Sequence, residues 1–129
     1  MKNSADGNLH IIPLLNPVFD KKTTLFESLN RRGTSRSISD IQIPLQQLSD
    51  ILWAAQGVNR IKGPFGGPGL TAGSASNSQE ICIYVAMKEG TYLYEPIPHR
   101  LTPIAAGDNR VLAIGSGQGS AGAVLSGSF

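Results

Sequence analysis

The first patterned run of apolar residues predicts a short amphipathic helix that begins near Thr24. Thr24 and Glu27 have the spacing of a capping box, in which each side chain accepts a hydrogen bond from the backbone N–H of the other residue. Gly33 is expected to end this helix, because glycine adopts the left-handed conformation at low cost. Residues 1–22 contain apolar pairs without a regular period, and they are predicted to form an irregular N-terminal arm. The apolar face of the helix would consist of Leu25, Phe26 and Leu29.

The strongest local pattern predicts a second helix between Pro44 and Gly57. Proline is favoured in the first turn of a helix and glycine just beyond its end. Apolar residues recur here at intervals of three and four, which is the spacing of a buried helical stripe. We interpret Trp53, beside this stripe, as a core or interface anchor rather than as a stacking partner for a cofactor. The stripe consists of Leu45, Leu48, Leu52 and Ala55, widened by Ile51.

The later part of the chain predicts a β-hairpin. Residues 81–87 are rich in β-branched and aromatic types, and a Lys-Glu-Gly turn separates them from residues 91–95, the predicted returning strand. Residues 101–104 are expected to add a short edge segment, since Pro103 lacks the N–H that a central strand needs. Cys82 falls within the first strand and is predicted to be a small core residue.

The composition indicates one small folded domain. Of 129 residues, 40% are hydrophobic and 16% are charged, which is too apolar for a fully disordered protein. The net charge of +2 gives no argument for nucleic-acid binding. The longest apolar run, residues 81–87, is far shorter than the roughly 18 residues of a membrane span, and no secretory signal pattern is visible. The single cysteine, Cys82, fits a reducing, cytoplasmic setting.

The sequence shows no motif of a metal site or of a hydrolase. The two histidines, His10 and His99, are far apart, and neither CxxC nor HExxH occurs, so no metal site is expected. No GxSxG motif marks a serine nucleophile, and no residue stands out as a catalytic acid or base. If the protein is an enzyme, a bound organic cofactor is expected to carry the chemistry.

A cationic, hydroxyl-rich turn over residues 31–36 follows the first predicted helix. A phosphate monoester requires arginine forks, a hydroxyl donor and free backbone N–H groups. Arg32, Thr34 and Arg36 could supply these groups. The alternative interpretation is a solvated helix terminus, in which Arg31 and Arg32 interact with the helix dipole.

A polar segment of small residues, 71–79, follows a Gly- and Pro-rich loop over residues 63–69. Small residues let a planar ring approach the backbone, and Ser74, Asn77 and Gln79 offer donors and acceptors for ring or ribityl oxygens. The alternative is an ordinary polar loop with a short helical turn. The 63–69 loop is not a phosphate-binding P-loop, since no Gly-Lys-Ser/Thr follows it.

In their order and spacing, these two clusters and the helix between them resemble the nitroreductase-like FMN oxidoreductases. The resemblance is carried by the stretches Arg-Gly-Thr-Ser-Arg (32–36), the helix over 45–57, and Ser-Ala-Ser-Asn-Ser-Gln (74–79) before a strand. It spans residues 24–110. The stretches that look most like the SagB-type branch, which includes azoline-oxidising dehydrogenases, are Leu-Trp-Ala-Ala-Gln-Gly (52–57), Leu-Tyr-Glu-Pro (93–96) and Ala-Gly-Asp-Asn-Arg (106–110).

The resemblance implies an α+β fold, with helices packed on a mainly antiparallel sheet and a dimer as the working unit. It also implies FMN as the cofactor. The positions that match the family's turn for the FMN phosphate and ribityl chain are Arg32, Gly33, Thr34 and Arg36. The positions that match its flavin-contacting segment, commonly placed across the dimer interface, are Gly73, Ser74, Ala75 and Asn77.

By the same resemblance the protein would be a cytoplasmic, homodimeric FMN-dependent oxidoreductase that acts on a small molecule. Its expected mechanism is ping-pong, in which NAD(P)H or another oxidisable substrate reduces the flavin and a second substrate takes the electrons. Two positions depart from the family pattern: Gly73 stands where proline is usual, and Leu70 where the SagB-type branch often has arginine.

Members of the family are longer than this chain, so residues 23–129 are interpreted as a partial nitroreductase-like domain that looks truncated at its C-terminal side. The alternative to an enzyme is therefore a truncated, non-catalytic remnant or interaction module that does not bind FMN productively.

A competing motif lies in the Gly-rich tail, where residues 117–122 satisfy GxGxxG. A dinucleotide-binding fingerprint also needs a following helix and an acidic residue about 20 positions later. Only seven residues follow Gly122, and none is charged. The motif is therefore a weak indication of dinucleotide binding.

Overall fold

The computed structural model of the protein describes residues 9–37 and 39–113. Within these residues, two α-helices and two antiparallel sheets give the α+β fold that was predicted. The tail motif at 117–122 lies outside the described residues. The helices are α1 (Leu25–Arg31) and α2 (Leu45–Gln56). The strands are β1 (Ile12–Pro13), β2 (Val58–Arg60), β3 (Gly69–Leu70), β4 (Tyr84–Ala86), β5 (Gly90–Glu95) and β6 (Arg100–Ala106), and single 3₁₀ turns cover Pro64–Gly66, Ala75–Asn77 and Arg110–Ala113.

Helix α1 forms around the predicted capping box. The Glu27 N–H donates to Thr24 Oγ1 at 3.2 Å, and the Thr24 N–H donates to Glu27 Oε2 at 2.8 Å. The prediction for the other end is wrong, because Gly33 does not adopt a left-handed conformation. The helix ends where Arg32 takes up extended backbone, with φ −60° and ψ 128°. No residue of α1 is buried.

Helix α2 lies between Pro44 and Gly57, as predicted. Leu48 and Leu52 of the predicted stripe are buried in the core. Ala55, however, is exposed, so the buried stripe is shorter than the sequence spacing indicates.

Two polar side chains of α2 are buried, and the apolar pattern did not identify either of them. The Ser49 hydroxyl donates to the Leu45 carbonyl at 2.7 Å and accepts the Leu15 N–H at 3.0 Å. The Gln56 amide nitrogen donates to the Ile81 carbonyl. Both residues can be buried because these bonds replace the hydrogen bonds to water that burial removes.

The main sheet has four strands in the order β1-β6-β5-β4, all antiparallel. Strands β4 and β5 form the predicted hairpin, although β4 covers only three residues of the predicted 81–87 strand. Strand β6 is longer than the predicted 101–104 segment and also pairs with β1. Pro103 lies beyond the two β6 residues that pair with β1 and next to an irregularity in the β5–β6 register, where a missing N–H is tolerated.

The N-terminal segment contributes to this sheet through β1. The Leu14 N–H donates to the His99 carbonyl at 3.1 Å, next to the β1–β6 pairing. Leu9, Ile12 and Leu14 pack against the core while remaining partly exposed. The expectation of an irregular arm therefore missed a strand that only long-range pairing with β6 stabilises.

The core lies between α2 and one face of the main sheet. Side chains alternate between the two faces of a strand, so Ile83, Val85 and Met87 pack in the core. Cys82 falls on the other side of this alternation and is exposed, so the prediction that it is a core residue is wrong. The buried cluster is Leu48, Leu52, Val85, Met87, Tyr92, Tyr94 and Leu101.

Candidate functional site

Every residue of the arginine-rich segment from Arg31 to Ser37, at the end of α1, is exposed. Within the described part of the chain, the side chains of Arg32, Thr34 and Arg36 make no hydrogen bond or ion pair. Their donors are therefore available to an anion. Because solvent reaches all three side chains, an anion that binds them would displace only part of their hydration shell.

Gly33 lies within this turn in open space. A Cβ atom placed on Gly33 would meet no heavy atom within 4 Å, and its φ is not in the left-handed region. The backbone of the turn is therefore accessible from outside, as an approaching phosphate would need.

The second predicted cluster folds as a tight polar loop around a 3₁₀ turn, Ala75–Asn77. Gly73, Ser74 and Ala75 are exposed, whereas Asn77 is partly buried. A Cβ placed on Gly73 would also meet nothing within 4 Å. The segment therefore presents an open backbone at its start and a fixed polar side chain near its end.

Asn77 and Gln79 fasten this loop to the Gly/Pro-rich loop that precedes it. The Asn77 Nδ2 donates to the Pro68 carbonyl at 3.1 Å, and the Gln79 Nε2 donates to the same carbonyl at 2.7 Å. The Gln79 Nε2 also lies 3.0 Å from Asn77 Oδ1. Sequence reasoning identified both side chains but missed their common acceptor, because a backbone carbonyl carries no sequence signal.

Among the described residues, no hydrogen bond or ion pair joins the 31–37 turn to the 73–79 loop. The contacts within the turn are local, such as the bond from Ser35 Oγ to the Ser37 carbonyl at 3.0 Å.

A cleft that the sequence did not predict opens beside the loop. Its volume is about 500 Å³, which is in the range of small-molecule sites. Gln79 and the exposed Cys82 both line it. The cleft exists because the sheet brings β5 and the β5–β6 turn next to residues 79–82, which are distant in sequence. Its apolar lining includes Leu70, Ile81, Leu93 and Ile97.

An ion pair borders this cleft. Arg100 Nε lies 2.5 Å from Glu95 Oε2, and Thr102 Oγ1 donates to the same oxygen at 2.9 Å. The hydrogen bonds from Arg100 and Thr102 hold the pKa of Glu95 below its ordinary value. Because Glu95 therefore stays ionised and paired near neutral pH, it is a poor proton donor.

A second polar network joins the N-terminal segment to β5. His99 Nε2 donates to the Leu15 carbonyl at 2.8 Å, so His99 Nδ1 accepts the hydroxyl proton of Tyr94 at 2.9 Å. Burial raises the pKa of Tyr94 to about 12. The phenol is therefore neutral at physiological pH and acts as a structural donor.

Residues 9–37 and 39–113 contain neither a membrane-spanning helix nor a cluster of metal-ligating side chains. No helix there is long and apolar enough to cross a bilayer. No group of three or more His, Cys, Asp and Glu side chains in this part of the chain could hold a metal ion.

The α+β fold has a nitroreductase-like structural neighbour. The chain is similar to the solved structure of a protein from Ralstonia eutropha JMP134 that is described as a "putative nitroreductase". The two share 36% sequence identity and superpose with a TM-score of 0.70. The similarity covers 83% of this chain and 48% of the other, so this chain spans about half the length of that protein. No family model and no curated protein matches the sequence.

Proposed function

We propose that this chain acts in an FMN-dependent oxidoreductase of the nitroreductase type, closest to the SagB-type branch. The enzyme would be a homodimer in the cytoplasm, with NAD(P)H as a candidate co-substrate and a small molecule as the second substrate. The observation that carries this proposal is the 36% identity and TM-score of 0.70 to the nitroreductase-like structure. Two features of the chain's own residues support it.

The first feature is the set of available cations after α1. Arg32 and Arg36 flank the Thr34 hydroxyl, and none of these side chains is engaged by another described residue. A terminal phosphate carries close to two negative charges at neutral pH, and charge-assisted hydrogen bonds from arginine are among the strongest that proteins form. These residues fit the FMN phosphate.

The second feature is the open start of the 73–79 loop. A flat ring can approach backbone only where no Cβ intervenes, and the space beyond Gly73 is empty to 4 Å. Ser74 and Ala75 are small and exposed. Asn77 follows with a side-chain orientation fixed by Pro68 and Gln79. These residues fit the isoalloxazine or ribityl part of FMN.

A site shared between two copies of the chain is part of this proposal. In the family resemblance, the loop commonly contacts flavin across the dimer interface. Helix α1 exposes a row of apolar side chains, with Leu25 72%, Phe26 82% and Leu29 57% accessible, and uncovered apolar patches of this kind usually mark interfaces. Dimerisation through this region would bring new surface close to the adjoining arginine turn.

Each group has a defined role in this proposal. Bound FMN would supply the redox chemistry, accepting electrons from one substrate and passing them to another. Arg32 and Arg36 neutralise the phosphate, and Thr34 donates to it. The 73–79 loop orients the flavin by its backbone and by Asn77. No side chain is assigned as proton donor, because Glu95 is held ionised, and because the raised pKa of Tyr94 makes its phenol a weaker acid whose hydroxyl is already bonded to His99.

Anaerobic reduction tests this function. The purified protein, incubated with FMN and freed of excess cofactor, is mixed with NADPH or NADH while the flavin absorbance is followed; a quinone or nitroaromatic compound is then added. Bleaching by the nicotinamide and recovery with the acceptor are expected. Bound flavin that neither nicotinamide reduces would contradict the use of NAD(P)H. A protein that binds no flavin would favour the non-catalytic interaction module instead.

A further inference from the structure

Gln79 is hydrogen-bonded to two residues of the 73–79 loop and to the loop that precedes it. Its Nε2 donates to the Pro68 carbonyl at 2.7 Å and to Asn77 Oδ1 at 3.0 Å, which uses both amide hydrogens. Its backbone N–H donates to Ser74 Oγ at 2.9 Å. One residue therefore contacts two predicted flavin-binding residues, Ser74 and Asn77, and the neighbouring Gly/Pro-rich loop.

The backbone that these bonds hold is unusual. Ser76, Asn77 and Gln79 have φ values of 51°, 54° and 53°, in the left-handed region that non-glycine residues rarely adopt. Such conformations persist only where the surroundings enforce them, and they concentrate at ligand-binding sites. The bonds of Gln79 are among the enforcing contacts, since they join Ser74 just before the strained residues, Asn77 within them and Pro68 in the neighbouring loop, to which Asn77 also donates.

We propose that Gln79 is a positioning residue for the flavin site. It acts through Ser74 and Asn77, which it holds in the geometry that contacts the cofactor, and through Pro68, which fixes the Gly/Pro-rich loop beside them. The inference rests on the proposed function and deepens it. It goes beyond the family resemblance, in which the matched flavin-contacting positions are Gly73 to Asn77.

The test compares Gln79→Ala with Gln79→Gly. Both substitutions remove the two side-chain hydrogen bonds and keep the bond from the backbone to Ser74. Glycine also relieves the left-handed strain at this position, so the glycine variant should unfold at a denaturant concentration at least as high as the alanine variant. Gln47→Ala is the matched control, because Gln47 is exposed on α2 and its side chain makes no hydrogen bond or ion pair among the described residues.

Two measurements are made on each protein. FMN dissociation constants should rise about tenfold in both Gln79 variants, as expected for losing two neutral hydrogen bonds that position the site, and should not change in Gln47→Ala. Without FMN, amide exchange at residues 77 and 79 should be faster in both Gln79 variants than in the parent, because the loop has lost its fastening.

Each outcome decides a different claim. Unchanged FMN affinity in both variants would overturn the positioning role and leave the proposed function standing. The positioning role would also be overturned if FMN affinity followed stability, so that the glycine variant bound FMN more like the parent than the alanine variant did. Gln79 would then act only through folding. If the parent protein itself binds no FMN, the proposed function is wrong and the inference falls with it. Parent-like amide exchange in the variants would show that Gln79 does not hold the loop.

Discussion

Arg31, Arg32 and Arg36 carry the same charge but occupy different positions on the turn that ends α1. Arg31 is in the last helical turn, where a cation interacts favourably with the helix dipole. Arg32 follows the helix in extended backbone, and Arg36 lies beyond it in the exposed turn. The interaction with the helix dipole therefore explains the position of Arg31. It does not explain Arg32 and Arg36, whose charges we expect to interact with a ligand.

We expect Arg32→Ala and Arg36→Ala to weaken FMN binding by about 1.5–3 kcal/mol each, the usual effect of losing a charge-assisted hydrogen bond. Arg31→Ala should have a smaller effect. Fluorescence quenching of FMN measures the three dissociation constants against the parent. Equal constants in all four proteins would show that the turn is only a solvated helix terminus.

A substitution at Asn77 distinguishes a flavin-binding loop from an ordinary polar loop. Replacing its amide by the carboxylate of Asn77→Asp removes the donor to the Pro68 carbonyl and places a negative charge near that oxygen. The same charge opposes the anionic reduced flavin. We expect lower flavin occupancy and a more negative midpoint potential, measured with redox dyes.

Ser78→Ala is the control for Asn77, because among the described residues the Ser78 hydroxyl bonds only the carboxylate of Glu80, two positions later. It should change neither quantity appreciably. If Asn77→Asp also left affinity and potential unchanged, the match between this loop and the family's flavin-contacting segment would be wrong.

The raised pKa of Tyr94 makes the free energy of unfolding depend on pH in the alkaline range. Its pKa is about 12 in the folded protein and 10.0 in its ordinary state. Between these values the folded state keeps a proton that the unfolded state releases, so the stabilisation is complete below about pH 10 and is lost as the pH rises towards 12. The expected loss is on the order of 2 kcal/mol.

Urea unfolding of the parent and of Tyr94→Phe across this pH range measures the effect. The variant should be less stable at neutral pH, because it lacks the bond to His99, yet should lose less stability as the pH rises. Tyr84→Phe, at a side chain that is 58% exposed, should behave like the parent. Parallel curves for the parent and Tyr94→Phe would exclude a raised pKa at Tyr94.

At the level of secondary structure elements, α2 and the N-terminal segment are joined through Ser49. Its hydroxyl accepts the Leu15 N–H, and its side chain is fully buried. Ser49→Ala would leave a partly buried N–H without a partner, so we expect a loss of about 1–3 kcal/mol in the free energy of unfolding. Gln47→Ala, two residues away on the exposed face, should cost much less. Equal denaturation midpoints for the two variants would contradict this docking role.

The elements that local sequence predicts correctly are those with local causes. The α1 start depends on Thr24 and Glu27, which bond each other three residues apart, and the β4–β5 hairpin depends on a short turn. Strand β1 was missed because its two residues are strands only by pairing with β6. Cys82 was misplaced because residues 81–87 are all apolar, so composition did not reveal which alternate positions face the core.

In the candidate site, too, the sequence predicts the residue types but not the contacts between distant segments. The sequence marks Ser74, Asn77 and Gln79 by residue type, but the partner of Asn77 and Gln79 in the Gly/Pro-rich loop is the Pro68 carbonyl, which any residue would provide. The cleft lined by Cys82 was not predictable, because residues from four separate segments form it.

At the scale of the whole molecule, the uncovered apolar surface predicts self-association. From the sequence, the stripe of α2 is the expected contact surface, but Leu48 and Leu52 are buried inside the chain. The exposed row lies on α1 instead, with Phe26 82% accessible. We expect a dimer in sedimentation velocity, shifted towards monomer by Phe26→Glu and not by Asn30→Glu. A compact monomer of the parent at high concentration would contradict the dimer.

Binding of FMN through the 31–37 turn and the 73–79 loop is tested most directly by calorimetric titration of the purified protein with FMN and, separately, with riboflavin, which has the same ring and ribityl chain but no phosphate. We expect FMN to bind and riboflavin to bind more weakly, and we expect the Arg32→Ala/Arg36→Ala double variant to lose this difference. Absence of FMN binding, or equal affinity for the two flavins in the parent protein, would contradict this expectation.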